Sequence, residues 1–263
     1  MRKRIAIIGA GSWGTALAII AARAGHEVML WSRDPDLVKS INEQRVNSRY
    51  LMSASIPDGV TATNEIKEAL NHASLVLLAA PSHAVRGLLG VMSPVLDESA
   101  VIVSVSKGIE IETGKRISEI VKEVVGGSQA FVCLSGPSFA KEVVEGQPTA
   151  IVAASKDAAA ARVVQADLSF ENLRIYTNAD VVGTELGGSV KNVMAIAAGM
   201  TTGSGLGSNS VAALITRGLA EMTRLARREG AQPETLMGLA GLGDLVLTCT
   251  GSLSRNRFVG EQL

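Results

Sequence analysis

The chain has 263 residues, enough for one large or two moderate domains with a substantial core. It carries 25 basic and 25 acidic residues, so no overall field attracts nucleic acid or a membrane surface, and we expect neither as a partner. Hydrophobic residues make up 47% of the chain but aromatic residues only 3%, which favours an aliphatic core of the kind found in parallel sheets.

Targeting and redox features are sparse. No apolar run reaches the ~20 residues that span a bilayer, and the chain enters a predicted strand almost at once, which we interpret as leaving no room for a signal peptide. The two cysteines, Cys133 and Cys249, lack metal-ligand spacing. We therefore expect a cytoplasmic protein with reduced thiols and no metal site.

A glycine-rich turn near the start of the chain predicts a dinucleotide site. A short apolar run ends at Gly9, and Gly11 and Gly14 complete the pattern G-x-G-x-x-G ahead of a helix of small residues. Gly9 permits the tight turn, Gly11 lets the backbone approach a pyrophosphate, and Gly14 lets the helix pack on the strand. The helix start directs unpaired N–H groups at the same anion. A second strand at residues 27–31 completes a βαβ unit, which favours this interpretation over a glycine-rich turn in another α/β protein.

The end of the second strand bears on the choice of coenzyme. An NAD-specific site usually places a carboxylate there to hold the ribose 2′-hydroxyl. This chain has Ser32 followed by Arg33, and a hydroxyl beside a guanidinium suits a 2′-phosphate, so NADP(H) is favoured over NAD(H). The alternative is that Arg33 is a solvated loop residue and that Asp34 only caps the next helix.

The rest of the chain divides into an alternating part and a helical part. Residues 35–72 are predicted to hold a helix, a polar connection and a short helix. Further strands are predicted at residues 74–80, 101–105, 130–134, 149–153 and 173–176, with a helix over 156–166. This alternation indicates an α/β fold with a doubly wound, mostly parallel sheet of the Rossmann type.

The strand pattern stops at about residue 180, and helices are predicted over 185–200 and 212–229. We therefore expect a dinucleotide-binding domain over residues 1–182 and an all-helical domain over residues 183–263. Residues 254–263 begin a further helix that has no C-cap, so we expect the helical domain to be incomplete.

Two lysines are candidates for the chemistry. Lys107 follows a strand end, as does Ser138, and ligands of open parallel sheets lie at that edge. The alternatives are a solvated lysine and an ordinary helix N-cap. Lys191 lies among small and apolar residues on a helix, and desolvation would lower its pKa toward the range of a general acid or base.

Polar residues near the end of the chain are candidates for the substrate. Asp244 lies between glycines and apolar residues, and Ser254, Arg255 and Asn256 follow ten residues later. An arginine fork suits a phosphate group, although a helix N-terminus with a solvated arginine would show the same pattern. Tyr50 and Tyr176 lack a lysine four residues on, which disfavours a short-chain dehydrogenase.

Together these motifs resemble bacterial NAD(P)-dependent glycerol-3-phosphate dehydrogenases. The segments that carry the resemblance are residues 9–18, 106–110, 134–140, 185–193, 213–218, 241–245 and 254–256. The likeness runs essentially from end to end. The chain departs from the family by stopping before several further helices, which include an acidic residue near the cofactor, and by carrying Ser208 where an aspartate is common.

The resemblance implies a homodimer that reversibly reduces dihydroxyacetone phosphate to sn-glycerol 3-phosphate for phospholipid synthesis. It implies that Lys191 is the proton donor and acceptor. The expected cofactor-binding residues are Gly9, Gly11, Ser12, Trp13, Gly14, Arg33, Lys107, Ala140 and Arg255. The expected substrate-binding residues are Lys107, Gly136, Ser138, Lys191, Asp244, Ser254, Arg255 and Asn256.

Two other functions stay open at this point. A related β-hydroxyacid dehydrogenase also pairs a Rossmann domain with a helical domain and a helix-borne lysine, but the Arg255–Asn256 pair favours a phosphorylated substrate. A nucleotide-binding module without turnover is the other alternative, because the incomplete helical domain would leave the site open to water.

Overall fold

A computed structural model describes residues 2–263 and contains an eight-stranded sheet with helices on both faces. The strands are β1 (Arg4–Ile8), β2 (Glu27–Trp31), β3 (Val46–Asn47), β4 (Leu51–Ser55), β5 (Val60–Thr63), β6 (Leu75–Leu78), β7 (Val101–Ser104), β8 (Phe131–Ser135), β9 (Thr149–Ala154) and β10 (Leu173–Asn178). The helices are α1 (Ser12–Arg23), α2 (Pro35–Gln44), α3 (Ile66–Leu70), α4 (Ser82–Met92), α5 (Ile117–Val125), α6 (Ala140–Val144), α7 (Ala158–Leu168), α8 (Val181–Gly203), α9 (Ser208–Arg228), α10 (Pro233–Met237), α11 (Asp244–Thr250) and α12 (Arg255–Gln262).

The strand order in the main sheet is β10-β9-β8-β7-β6-β1-β2-β5. All neighbouring pairs are parallel except β8 and β9, so the predicted mostly parallel, doubly wound sheet is confirmed. The chain moves outward from β1 in one direction and then returns to place β6 on its other side. This reversal opens a crevice beyond the carboxyl ends of β1 and β6, where ligands of such sheets bind.

The side chains of β1 alternate between two hydrophobic cores. Ile5 and Ile7 belong to the core under α1 and α7, whereas Ala6 and Ile8 belong to the core under α4 and α5. This alternation follows from the two-residue period of a strand. Because both faces are covered by helices, the strand is apolar at nearly every position, as the continuous apolar runs of the sequence predicted.

The segment after α2 differs from its prediction. In place of a polar connection, the chain forms the short hairpin β3–β4 and then β5, which pairs with β2 at the edge of the main sheet. The β3–β4 hairpin lies outside the main sheet and close to the glycine-rich turn of residues 9–14. β5 has only four residues, two of them threonines, and so short a run lacks the apolar pattern that marked the other strands.

The helical part of the chain is arranged around α8. This 23-residue helix begins after β10 and extends beyond the predicted residues 185–200 at both ends. α9 corresponds to the helix predicted over 212–229, but it begins at Ser208 and ends at Arg228. α8 and α12 run parallel, because Gly199 faces Arg257 and Gly203 faces Glu261. A Cβ on Gly199 would lie 2.0 Å from the Arg257 carbonyl oxygen, so the two backbones touch directly.

Among residues 2–263, no helix combines the length and the apolar character that crossing a membrane requires.

We expect Gly199→Ala to lower the free energy of unfolding by about 1–3 kcal/mol, because the added methyl group has no space between α8 and α12. Gly87→Ala is the matched control, since Gly87 is exposed inside α4 and a Cβ there meets no atom within 4 Å. That control should raise the free energy of unfolding by about 0.5–1 kcal/mol. Urea denaturation of both variants measures the difference, and equal stabilities would contradict the close packing of the two helices.

Candidate active site

The glycine turn lies at the carboxyl end of β1, beside the crevice. Gly9 has a φ of 124°, a conformation that side chains disfavour, and a Cβ there would lie 2.6 Å from the Ala79 carbonyl oxygen. A Cβ on Gly14 would lie 2.0 Å from the Gly9 carbonyl oxygen, so α1 can sit on the turn only with glycine at this position. Both residues therefore have the geometry that the motif predicted.

The start of α1 fits the pyrophosphate of a dinucleotide. Gly11 is the N-cap, no side chain caps the helix, and no acidic residue lies in its first turn. A Cβ on Gly11 would meet no atom within 4 Å, so space is open in front of this backbone. The N–H groups of Ser12 and Trp13 belong to the first turn, where a helix offers donors without internal partners. The turn thus provides a cradle for an anion.

The end of β2 holds the residues that bear on the ribose. Ser32 is buried, and its hydroxyl accepts a hydrogen bond from the Asp34 N–H at 3.2 Å. Arg33 is exposed. Asp34 caps α2 by accepting from the Asp36 and Leu37 N–H groups. The capping role that the sequence allowed for Asp34 is therefore confirmed.

Two lysines meet on one buried carboxylate. Lys191 Nζ lies 2.5 Å from Asp244 Oδ1, and Lys107 Nζ lies 2.8 Å from Asp244 Oδ2. Lys107 also donates to the Gly136 carbonyl oxygen at 2.9 Å. Four of the predicted substrate residues, from the segments after β7 and β8 and from α8 and α11, are thereby brought together at the carboxyl edge of the sheet. We call Lys107, Lys191 and Asp244 the lysine–aspartate cluster.

Burial makes Lys191 a usable acid and base. Its side chain is 8% exposed, and burial together with the positive charge of Lys107 lowers its pKa to about 8, against the opposing effect of Asp244. Such a group exchanges a proton readily near neutral pH. The sequence-based expectation of a desolvated lysine agrees with this position.

Two carboxylates fix the loop that carries Lys107. Glu110 forms a two-point ion pair with Arg86, at 2.7 and 2.8 Å, and that contact lowers the pKa of Glu110 to about 2. At the start of α5, where this loop ends, Glu185 of α8 accepts from the N–H and the hydroxyl of Ser118, at 2.7 and 2.6 Å. Glu185 is buried, and burial raises its pKa. Lys107 is therefore held between the sheet and the helix that carries Lys191.

Close packing of α8 brings its lysine to the sheet. A Cβ on Gly187 would lie 2.3 Å from the Ala240 carbonyl oxygen, in the π-helical segment Leu239–Gly243 that precedes Asp244. The Ser135 hydroxyl faces the neighbouring Gly188, and it has no hydrogen-bond partner within residues 2–263. Only small residues here let α8 approach both segments.

The remaining residues predicted after β8 lie next to the cluster. Ser138 donates to the Gly136 carbonyl oxygen at 3.1 Å. Ser138 is not the N-cap of the following helix, as one alternative proposed, because α6 begins at Ala140 and Phe139 precedes it without a side-chain cap. Ala140 packs against the same core as Trp13, on the α1 side of the sheet.

The three residues at the start of α12 stand apart from the cluster. Ser254 is buried and caps the helix by accepting from the Arg257 N–H at 3.2 Å. Arg255 is exposed, and Asn256 is partly buried. None of the three forms a hydrogen bond or an ion pair with Asp244 within residues 2–263, but the parallel packing on α8 turns the N-terminus of α12 toward the N-terminal half of α8, which contains Lys191.

One residue of the cluster's surroundings was missed. Lys191 donates to the Thr248 hydroxyl at 2.8 Å, and that hydroxyl donates to the Asp244 carbonyl oxygen at 2.7 Å. Thr248 follows Asp244 by four residues on α11, so recognising that short helix would have placed both on one face.

Comparison with known proteins identifies the family. Residues 4–161 match the family model described as the NAD-dependent glycerol-3-phosphate dehydrogenase N-terminus, and residues 180–263 match the corresponding C-terminus. A protein from Koribacter versatilis named glycerol-3-phosphate dehydrogenase [NAD(P)+] is 56% identical over 99% of this chain and 78% of its own length. A protein of the same name from Citrifermentans bemidjiense is 52% identical over 100% of this chain and 79% of its own length.

A solved structure agrees with these relatives. The crystal structure of glycerol-3-phosphate dehydrogenase from Coxiella burnetii is 43% identical and superposes with a TM-score of 0.95, over 99% of this chain and 79% of that one. Sequence, domain matches and fold therefore lead to one conclusion. The chain belongs to the NAD-dependent glycerol-3-phosphate dehydrogenase family.

Proposed function

We propose that this chain reversibly reduces dihydroxyacetone phosphate to sn-glycerol 3-phosphate with NADPH or NADH, and so supplies glycerophospholipid synthesis. The observation that carries the proposal is the lysine–aspartate cluster at the carboxyl edge of a sheet whose glycine turn fits a dinucleotide. The relatives' names support the reaction and the use of both coenzymes.

The nicotinamide coenzyme supplies the hydride when it is bound. As the ketone is reduced, negative charge grows on its oxygen, and an ammonium group beside that oxygen stabilises the charge and then donates a proton. Lys191 is suited to this role, because its pKa of about 8 leaves it protonated at neutral pH but able to release the proton. In the reverse direction the neutral amine accepts the hydroxyl proton.

Asp244 and Thr248 orient Lys191, and Lys107 adds a second positive charge to the substrate side of the site. Gly136 and Ser138 line the same edge. At neutral pH the cluster holds two ammonium groups and one carboxylate, which suits an anionic substrate.

We assign the substrate phosphate to the start of α12. The helix has Ser254 as its N-cap, and its first turn contains Arg255 and Asn256. N–H groups and a guanidinium can both bind phosphate oxygens there. Binding energy gained there, away from the reacting carbon, helps to orient the ketone. Among the alternatives, this arrangement favours a phosphorylated ketone over a short hydroxyacid.

We assign the coenzyme to the crevice beside β1 and β6. The proposed contacts are Gly9, Gly11, Ser12, Trp13, Gly14 and Arg33 on the pyrophosphate and adenosine side, and Lys107, Ala140 and Arg255 toward the nicotinamide. Ser32 and Arg33 at the end of β2 support a preference for NADPH.

We also propose a domain boundary between residues 182 and 183, a homodimer and a cytoplasmic location. Asp180 supports the boundary, since it follows the last strand and caps α8 by accepting from the Gly183 N–H at 2.8 Å. Apolar side chains exposed on the helical part support the dimer, namely Val193, Met200, Val246, Phe258 and Val259. The buried free thiols of Cys133 and Cys249 fit a reducing compartment.

Lys191→Ala tests the assigned acid. We expect the variant to bind NADPH normally, because Lys191 lies on α8 and not at the glycine turn, and to lose turnover of dihydroxyacetone phosphate by roughly 10²–10⁴-fold. NADPH consumption and coenzyme fluorescence give the two readouts, with the exposed Lys156→Ala as control. Full activity in Lys191→Ala would refute the role.

Absence of NADPH consumption by the unaltered chain with dihydroxyacetone phosphate would favour a nucleotide-binding module.

The pH dependence of kcat/KM reports the protonation of Lys191. Reduction requires the ammonium form, so its rate should hold below about pH 8 and fall at higher pH, whereas oxidation should rise with pH and level off above about pH 8. Asp244 raises the pKa of Lys191, so Asp244→Asn should move both midpoints to lower pH. If kcat/KM changed with pH in the same sense for reduction and for oxidation, the assignment of Lys191 would be contradicted.

Arg255→Ala tests the phosphate site. Losing one charge-assisted contact should raise KM for dihydroxyacetone phosphate by about tenfold or more and lower kcat less. Arg224→Ala, on the exposed face of α9, is the control. Initial rates over a range of substrate concentration separate the two constants, and an unchanged KM in Arg255→Ala would place the phosphate elsewhere.

A further inference from the structure

A second arginine lies near the end of β2, and it comes from the β3–β4 hairpin. Arg49 Nη1 lies 2.6 Å from Asp34 Oδ2. The Arg49 side chain is 62% exposed and the Asp34 side chain 25% exposed, so the pair lies at the protein surface. Arg49 is fifteen residues away from Asp34 in the chain. No motif in the sequence linked the two.

Asn47 fixes the hairpin turn against the glycine turn. This fully buried amide donates to the Ala10 carbonyl oxygen at 2.9 Å and to the Thr15 hydroxyl at 2.7 Å. Its own oxygen accepts from the Arg49 and Tyr50 N–H groups, at 3.2 and 2.9 Å. The amide nitrogen thus joins the hairpin to the glycine turn and α1, while the amide oxygen shapes the hairpin turn that carries Arg49. The position of Arg49 is therefore tied to that of the pyrophosphate cradle.

Asp34 is already occupied in this arrangement. Its Oδ1 accepts from two N–H groups at the start of α2, and its Oδ2 pairs with Arg49. A carboxylate engaged in this way is a poor acceptor for two ribose hydroxyls, which is the role of the acid in an NAD-specific site. Arg49 also neutralises the charge with which Asp34 would repel a 2′-phosphate.

The Arg49 guanidinium has N–H donors left over that can bind a ligand. A guanidinium has five N–H donors, and Asp34 accepts from one nitrogen. Arginine binds phosphate oxygens in a two-point geometry, which an exposed side chain paired with Asp34, the residue that follows Ser32 and Arg33, can supply.

We propose that Arg49 is a specificity-determining residue that binds the 2′-phosphate of NADP(H) together with Arg33, while Asp34 holds its guanidinium in place. This inference rests on the proposed use of NADPH and names a residue for it that the motifs did not contain. The hairpin then lines one side of the coenzyme site, and Asn47 fixes the position of the hairpin relative to the glycine turn.

The test uses two mononucleotides that differ only by the 2′-phosphate. Calorimetric titration of 2′,5′-ADP and 5′-AMP compares the unaltered chain with Arg49→Gln, Arg49→Lys and Arg33→Gln. We expect Arg49→Gln to weaken 2′,5′-ADP binding by about tenfold and to leave 5′-AMP binding unchanged. Arg49→Lys should recover part of the loss. Arg174→Gln is the matched control, because Arg174 is exposed on β10 at the opposite edge of the sheet.

The outcomes separate this inference from the proposed function. Unchanged binding of 2′,5′-ADP by Arg49→Gln would overturn the inference, and so would an equal loss for both mononucleotides, which would indicate a structural role only. Reduction of dihydroxyacetone phosphate by the unaltered chain is measured alongside with NADPH and with NADH. Its absence would refute the proposed function but would leave the comparison of mononucleotides valid, since that comparison involves no turnover.

Discussion

The arrangement of this molecule depends on one buried carboxylate with two ammonium partners. Asp244 is inaccessible to solvent, and its two oxygens contact Lys107 and Lys191 separately. A buried charge is costly unless it is paired, so these contacts hold the π-helical segment, α8 and the loop after β7 at fixed separations. Together with burial, the same contacts set the pKa of Lys191. The folded arrangement and the proposed acid–base chemistry therefore depend on the same atoms.

The sheet and the glycine turn could be read from the sequence because their signals are local. Continuous apolar runs mark strands covered on both faces, and three glycines at fixed spacing mark a turn in which Gly9 and Gly14 leave no space for a Cβ. Lys191 stood out for a related reason. A lysine between glycines and alanines on one helix has no neighbour that explains it, and burial of its side chain agrees with that reasoning.

Contacts that depend on tertiary folding could not be read in this way. The short strand β5 has too few residues to show a period, and its place depends on pairing with β2. The β3–β4 hairpin contains polar residues typical of a loop, and only its packing shows why Asn47 is buried. Thr248 was missed because α11 has only seven residues and because its partner Lys191 lies 57 residues earlier in the chain. Each of these residues acts through a partner far away in the chain.

The cluster also has a consequence for the encounter between enzyme and substrate. Two ammonium groups facing one carboxylate leave a single unbalanced positive charge in largely buried surroundings, as long as Lys191 is protonated. A charge that water screens only weakly attracts anions and raises their local concentration. A dianionic metabolite would thus be drawn in from several ångströms away, at a rate that added salt slows by screening. The net charge of the chain is zero, so this local positive charge cannot be inferred from the composition.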